Sequence, residues 1–280
     1  MERSDESQKD VEGEKLFQLA HVDQRRAQSE IIRELYNRLN SGAFISFAQN
    51  YEDILLQRLF AKQKFGFFVD VGAFHPTFKS VTRLLYDQGW RGINIDLCKV
   101  NISRFLKDRP RDINLCCAVG SGEIKRQNFF IQSGTTRSTA DGALADRYKS
   151  RGLAISEETL DVFSLTEILD SHAKNHVDVL SIDVEGYEKE VLSGINLEKY
   201  RPSIILIEAT YPETSQPNWD GWESILTNAG YEFMYFDGLN RFYADRPSDS
   251  TRRAFEAPPN FFDNFIRHET VLAALALRSD

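Results

Sequence analysis

Four acids stand at the ends of four apolar runs: Asp70 in FFVDVGAF, Asp96 in RGINID, Asp183 in VDVLSID and Glu208 in PSIILIEA. One acid in such a place carries little meaning, because Asp is favoured in turns and at helix N-caps. Four at one edge of one sheet are harder to dismiss. Clustered carboxylates repel one another unless a cation or a donor-rich ligand sits among them. Asp70 leads into Gly72 and Ala73, a turn in which bare backbone N–H groups can approach a ligand. Asp96 lies one strand–helix–strand unit further on, where a carboxylate can accept from both hydroxyls of a ribose. The full G-x-G-x-x-G pattern is missing, since Phe74 and Thr77 occupy the second and third glycine positions. A pyrophosphate needs those close approaches, whereas a nucleoside cofactor without phosphate needs only the first. These residues leave two readings open, a nucleoside pocket and a structural turn with a chance acid.

The surrounding elements must bring those acids together. KSVTRLLYDQGW has a helical pattern stopped by Gly89, KVNISRFLKDRP a second one stopped by Pro110, and DINLCCAV reads as a further strand. SLTEILDSH opens on a capping box, Ser164 with Glu167, and EGYEKEVLSGI and WESILTNAG read as helices. Strand alternating with helix at this pitch predicts parallel strands with crossover helices. YEFMYFDGLNRFYAD differs, because Asp237-Gly238 between two apolar runs is a hairpin signal. A hairpin reverses one strand, so the expectation is an α/β fold with a seven-stranded, mostly parallel sheet and one antiparallel terminal strand. That is the Rossmann-like class I methyltransferase architecture. Residues 120–163 interrupt the rhythm, with RQNFFIQ as an extra strand in a polar insertion of the size of a lid or substrate loop. The remaining boundaries are a disordered N-terminus (1–12), an N-terminal helical arm (13–42), the main domain (43–250) and a C-terminal helical tail (251–280).

Composition excludes some classes. A net charge of −8 with no basic run argues against nucleic acid. The start is polar, without the apolar segment of a signal peptide, and VLAALAL is far short of the ~20 residues a membrane span needs. Cys98, Cys116 and Cys117 show no CxxC spacing, so they read as free thiols of a cytoplasmic protein. The arm could pack on the domain or mediate a homo-oligomer.

The segments SFAQNYEDILLQRLF, FFVDVGAFHPTFKSVTRLLYDQGWRGINID, LSIDVEGYEKEVLSGINLEKYRPSIILIEAT and WESILTNAGYEFMYFDGLNRFYAD resemble the FkbM family of S-adenosylmethionine-dependent methyltransferases. The likeness runs from about Ile45 to Tyr243, and PPNFFDNFIRHE resembles the tail of a subgroup among surface polysaccharide enzymes. It implies O-methylation of a hydroxyl on a sugar or polyketide-like product, with a saccharide or glycan as acceptor. It further implies that Asp70, Gly72 and Ala73 hold the methionine end of the cofactor, that Asp96 takes the ribose, and that Ala118 and Val119 flank the adenine. Gln49, Asn50 and Glu52 match the element that covers the cofactor. The sequence departs from the family pattern at Tyr51, at Phe74-His75 and at Leu97-Cys98.

A sugar hydroxyl is a poor nucleophile, so its proton must go to a base or its oxygen must meet a metal. Asp183 and Glu185, where a strand opens into IDVEGYE, are the candidates for base or base-orienting acid, with Glu185 as a helix cap the alternative. Asp183, Glu185 and Glu208 offer oxygen ligands for Mg²⁺. His75 has a suitable unperturbed pKa of about 6.5, or else it bonds its own turn. Arg137, Ser138 and Thr139 in the insertion, with Glu208, Tyr211, Asn240 and Arg241, are the candidates for contacting the acceptor. Two other readings stay open, a nicotinamide-dependent sugar-nucleotide oxidoreductase and a catalytically inactive cofactor-binding module.

Overall fold

The computed structural model describes residues 28–173 and 176–276. The disorder expected at 1–12 and the first half of the arm lie outside them. In chain order the elements begin with helix α1 (28–40), β1 (Phe44–Ser46), α2 (Glu52–Phe60), β2 (Phe67–Val71), α3 (Arg83–Asp87), β3 (Arg91–Asp96), α4 (Lys99–Asp108) and β4 (Ile113–Cys116). The insertion supplies β5 (Ala118–Gly120), β6 (Arg126–Ile131), β7 (Ser138–Thr139), α5 (Gly142–Ser150) and β8 (Ser156–Ser164). The second half runs α6 (Leu165–His172), β9 (Val179–Ile182), α7 (Glu188–Ser193), β10 (Ile204–Glu208), α8 (Glu223–Asn228), β11 (Tyr231–Phe236), β12 (Asn240–Asp245) and α9 (Asp249–Ala254). Last come β13 (Phe265–Arg267) and α10 (His268–Ala276).

Residues Phe47–Pro259 form one compact unit. Its main sheet has seven strands in the order β11-β12-β10-β9-β2-β3-β4. β12 runs antiparallel to both neighbours, and the other pairs are parallel. The reversed strand is the last of this sheet in the chain but not its edge, because it inserts between β10 and β11. The central strands are apolar on both faces, as parallel strands covered twice must be. Val69, Ile93, Leu180, Ile205 and Ile207 pack with α6, α7 and α8, while the alternate residues Phe68, Val179, Ile204 and Leu206 pack with α2, α3 and Phe255. The period of two along each strand thus splits one sheet between two helical layers.

Two sequence signals are seen at atomic level. Ser164 caps α6 with the reciprocal Glu167 bond of a capping box. Gly238, at φ 98°, turns the β11–β12 hairpin, where Asp237 Oδ1 accepts from the Leu239 and Asn240 N–H groups at 2.8 and 2.6 Å. Two expectations change. DINLCCAV is two strands in different sheets, β4 in the main one and β5 in the insertion. The insertion itself is a four-stranded sheet, β5-β8-β6-β7, carrying α5, in place of a loop with one strand.

The described residues of Met1–Ser46 and Asn260–Asp280 form a second unit. Within it β1 pairs in parallel with β13, and Arg38 Nη2 donates to the Phe265 carbonyl at 2.6 Å. The tail expected to be helical therefore contains a strand before α10. No described helix is long and apolar enough to cross a membrane.

Candidate active site

The carboxyl ends of β2, β3, β9 and β10 meet at one edge of the sheet, and a pocket opens there. It takes in about 1060 Å³, open solvent at its mouth included. Asp70, Asp96 and Asp183 line it, and Glu208 stands directly behind Asp183.

Gly72 makes this convergence feasible. Its φ is 84°, and a Cβ there would lie 1.6 Å from the Asp183 carbonyl oxygen. Only glycine lets the end of β2 pass the end of β9 so closely. The turn spends its own donors, though. The Gly72 and Ala73 N–H groups both bond the Ile95 carbonyl, at 2.9 and 3.0 Å, so they are not the bare donors the sequence suggested. The next N–H, of Phe74, donates to Asp96 Oδ2 at 2.9 Å. Asp96 also accepts from Cys98 N at 2.7 Å and from Asn101 Nδ2. Its carboxylate is therefore fixed in orientation at the pocket wall. Asp70 accepts from Thr82 Oγ1 at 2.8 Å, and Thr82 in turn accepts from buried Arg109 at 3.0 Å.

Burial raises the pKa of every one of these acids. Glu208 is raised well above Asp183, because the Asp183 charge adds to burial, and its proton is donated to Asp183. That bond opposes the rise at Asp183, which stays the more acidic partner. Glu208 Oε2 is buried, with no N–H or hydroxyl group bonded to it. Glu185 sits in the left-handed region at φ 54°, and burial with the neighbouring Asp183 pushes its carboxyl up. α7 begins only at Glu188, so Glu185 does not cap it. The side chain that reaches back is that of Glu188, which accepts from Gly186 N at 3.0 Å and from Val184 N at 3.3 Å, and burial pushes its carboxyl to about 7.

Across the pocket, Glu52 accepts from Asn50 N at 2.7 Å and from Asn240 Nδ2 at 2.8 Å, and burial with the nearby Asp237 pushes its carboxyl to about 8. Gln49 and Asn240 also line the space, as do Ser138 and Thr139 from β7. Val119, Cys117 and Phe129 give it an apolar side.

Other candidates lie outside the lining. Asn50 turns its amide toward Asp237 at 3.5 Å. Ala118 packs among Cys98, Phe129 and Val162. His75 Nδ1 accepts from Thr77 N at 3.1 Å and Phe78 N at 3.0 Å, holding its own turn. Arg241 follows Asn240 on β12 and so points to the opposite face, where it stacks on Trp219 and Phe233 and pairs with Glu223 at 2.6 Å. Beyond the lining, Tyr211 is exposed to solvent and Arg137 is half-buried and bonded to Glu213. Lys79, Tyr187 and Glu188 join the site without having been singled out in the sequence. Glu188 alone had a signal, since it lies three residues past Glu185 at the start of a helix.

Comparison with known proteins decides the family. Residues 70–233 match the Methyltransferase FkbM domain. The chain belongs to the FkbM methyltransferase family. That membership selects methyl transfer over nicotinamide chemistry, and the cofactor it implies is S-adenosylmethionine. A search of curated proteins found no match. Among solved structures, the chain is similar to a TehB-like SAM-dependent methyltransferase from Corynebacterium glutamicum, at 11% identity and a TM-score of 0.38, covering 79% of this chain and all of the other.

The pocket fits the implied cofactor on its own terms. A sulfonium and an ammonium are both cations, and the site is walled by acids whose charges burial and mutual repulsion disfavour. Bound positive charge would let them ionise. Mg²⁺ fits less well. Among the described residues no group of three or more His, Cys, Asp or Glu side chains is arranged to hold a metal ion.

Proposed function

We propose that the protein transfers a methyl group from S-adenosylmethionine to a hydroxyl of a saccharide. The observation that carries the reading is the Asp183–Glu208 pair at the pocket wall, beside the fixed carboxylate of Asp96. When bound, S-adenosylmethionine supplies an electrophilic methyl group and leaves as a neutral thioether. What the chain must add is alignment and a proton acceptor.

Asp183 is the acceptor in this reading. The neutral Glu208 donates to one of its oxygens and keeps the other aimed at the pocket, so Asp183 holds a charge that its burial would otherwise disfavour. Glu185, with a raised pKa, keeps a proton to higher pH and serves as a donor to the acceptor's oxygens. Asp96 accepts from the ribose hydroxyls, and Glu52 with Gln49 closes the other side. Ser138, Thr139 and Asn240 supply the hydroxyl and amide groups that suit a polyhydroxylated acceptor. No step passes through a metal.

Calorimetric titration with S-adenosylhomocysteine tests the cofactor half, and tritium transfer from labelled S-adenosylmethionine to a panel of saccharides tests the rest. The expected result is saturable binding that weakens roughly tenfold or more in Asp96→Asn, a charge-assisted bond being worth ~1.5–3 kcal/mol, and methyl transfer that persists in EDTA. A folded protein that does not bind the homocysteine product sinks the reading.

A further inference from the structure

The insertion and the loop after β10 are joined by one carboxylate held between two arginines. Arg137 Nε donates to Glu213 Oε1 at 2.9 Å, and Arg151 Nη1 pairs with Glu213 Oε2. The three side chains are each between 31% and 58% exposed. A bridge so accessible to water contributes little to stability by itself. Its placement gives it another use. Arg137 directly precedes Ser138 and Thr139, which line the pocket, and Thr139 Oγ1 donates to the Glu185 carbonyl at 3.2 Å. Arg137 therefore stands beside the acceptor side, within electrostatic reach of Glu185.

Three features point the clamp outward, toward a ligand. Glu213 is held at φ 60°, a left-handed backbone that glutamate rarely adopts. Ser138 Oγ and Tyr148 Oη, in the same part of the insertion, are buried without partners. Finally, the pocket is walled by acids in a chain of net charge −8. An anionic acceptor would be repelled by Asp183 unless guanidinium groups met its charge, and paired arginines match a carboxylate or phosphate in geometry as well as sign. A neutral sugar needs no such pair.

We infer that Arg137 and Arg151 form an anion subsite, occupied in the free protein by Glu213, and that the acceptor carries a carboxylate or phosphate that displaces it. The inference rests on the methyltransferase reading for the word acceptor, but the subsite is testable without turnover.

The probes are glucuronate, glucose 6-phosphate and glucose, titrated into the full chain and followed by saturation-transfer NMR, with and without S-adenosylhomocysteine. At least one anion should bind roughly tenfold more tightly than glucose, and which one does so distinguishes a uronate from a sugar phosphate. The preference should vanish in Arg137→Met/Arg151→Met, whose partly exposed positions leave the fold intact by thermal melt. Glu213→Gln, which weakens the internal competitor, should tighten the anion severalfold; a bridge with a purely structural role would show no such gain. Equal binding of the three sugars, binding of none, or a preference that survives in the double arginine variant overturns the inference. Failure of the homocysteine product to bind, read by calorimetry on the same samples, would count against the methyl-donor reading and not against the anion subsite.

Discussion

Replacing Glu208 by Leu should move the acid limb of the pH–rate profile upward, and the size of the move follows from one hydrogen bond. Asp183 acts as base only when ionised. Its charge is opposed by burial and supported by the proton Glu208 donates. Because Glu208 is itself neutral at working pH, Leu removes a donor without removing a charge. A hydrogen bond to a charged group contributes ~1.5–3 kcal/mol, and a shift of one pKa unit corresponds to about 1.4 kcal/mol. The limb should therefore rise by about 1–2 pH units, with the plateau rate nearly unchanged. Glu208→Gln keeps an N–H donor in the same place and should move the limb by a small fraction of that. The assay is kcat/KM for tritium transfer across about pH 5 to 9. Without an acceptor, the same pKa can be read from the carboxyl infrared band that disappears in Asp183→Asn. A downward move in the Leu variant would refute the reasoning. It would mean that Glu208 is ionised beside Asp183, so that its removal relieves repulsion.

The same burial makes the free protein's stability depend on pH. Glu52 has a folded pKa of about 8 against an ordinary 4.5, so the folded state binds more protons between those values and stability falls as pH rises through them. Thermal midpoints should drop across that window, at most by about 1.4 kcal/mol per pH unit from this group, and Glu52→Gln should flatten the fall. Gly72→Ala should destabilise by more than the ~1–2 kcal/mol of a left-handed alanine, because its Cβ meets the Asp183 carbonyl; a denaturant midpoint unchanged from wild type would contradict the close approach. Arg109→Met should cost about 3–5 kcal/mol in the same measurement, since Asp112, fully buried and paired with Arg109 at 2.9 Å, would lose its countercharge.

Much of this fold was legible because parallel strands buried on both faces read as unbroken apolar runs. Phe67–Val71, Val179–Ile182 and Ile204–Glu208 each end within one residue of the acid that marks the pocket edge. The hairpin was legible because Asp237-Gly238 has a local mechanism, a turn whose Asp bonds its own backbone. The insertion was not, because β5 and β8 pair in parallel across residues 120–155, and nothing local in AVG or SEETLDVFS encodes that partner. Facing is similarly hidden when register is uncertain. Asn240 and Arg241 looked equivalent in the sequence, yet strand alternation sends one to the pocket and the other to Trp219. The Gly72–Ala73 donors looked free, and only the register of β2 against β3 shows that Ile95 takes both.

Charge, read along the chain, gives a net acidic protein; read in space, it divides the site. The carboxyl ends of four strands gather acids, and Glu52 of α2 faces the same pocket; protonation relieves their repulsion at Glu208 and Glu52. The two rim arginines come from elsewhere, the loop after β6 and the end of α5. A cationic donor binding among the acids favours the ionised form of Asp183, the form that can accept a proton, while Glu208 keeps the proton it donates. An anionic acceptor binding at the rim is held by opposite charge a short way off. Each ligand is thus favoured by the half of the site that would repel the other, and the order of charge along the pocket fixes which end of each faces the reaction.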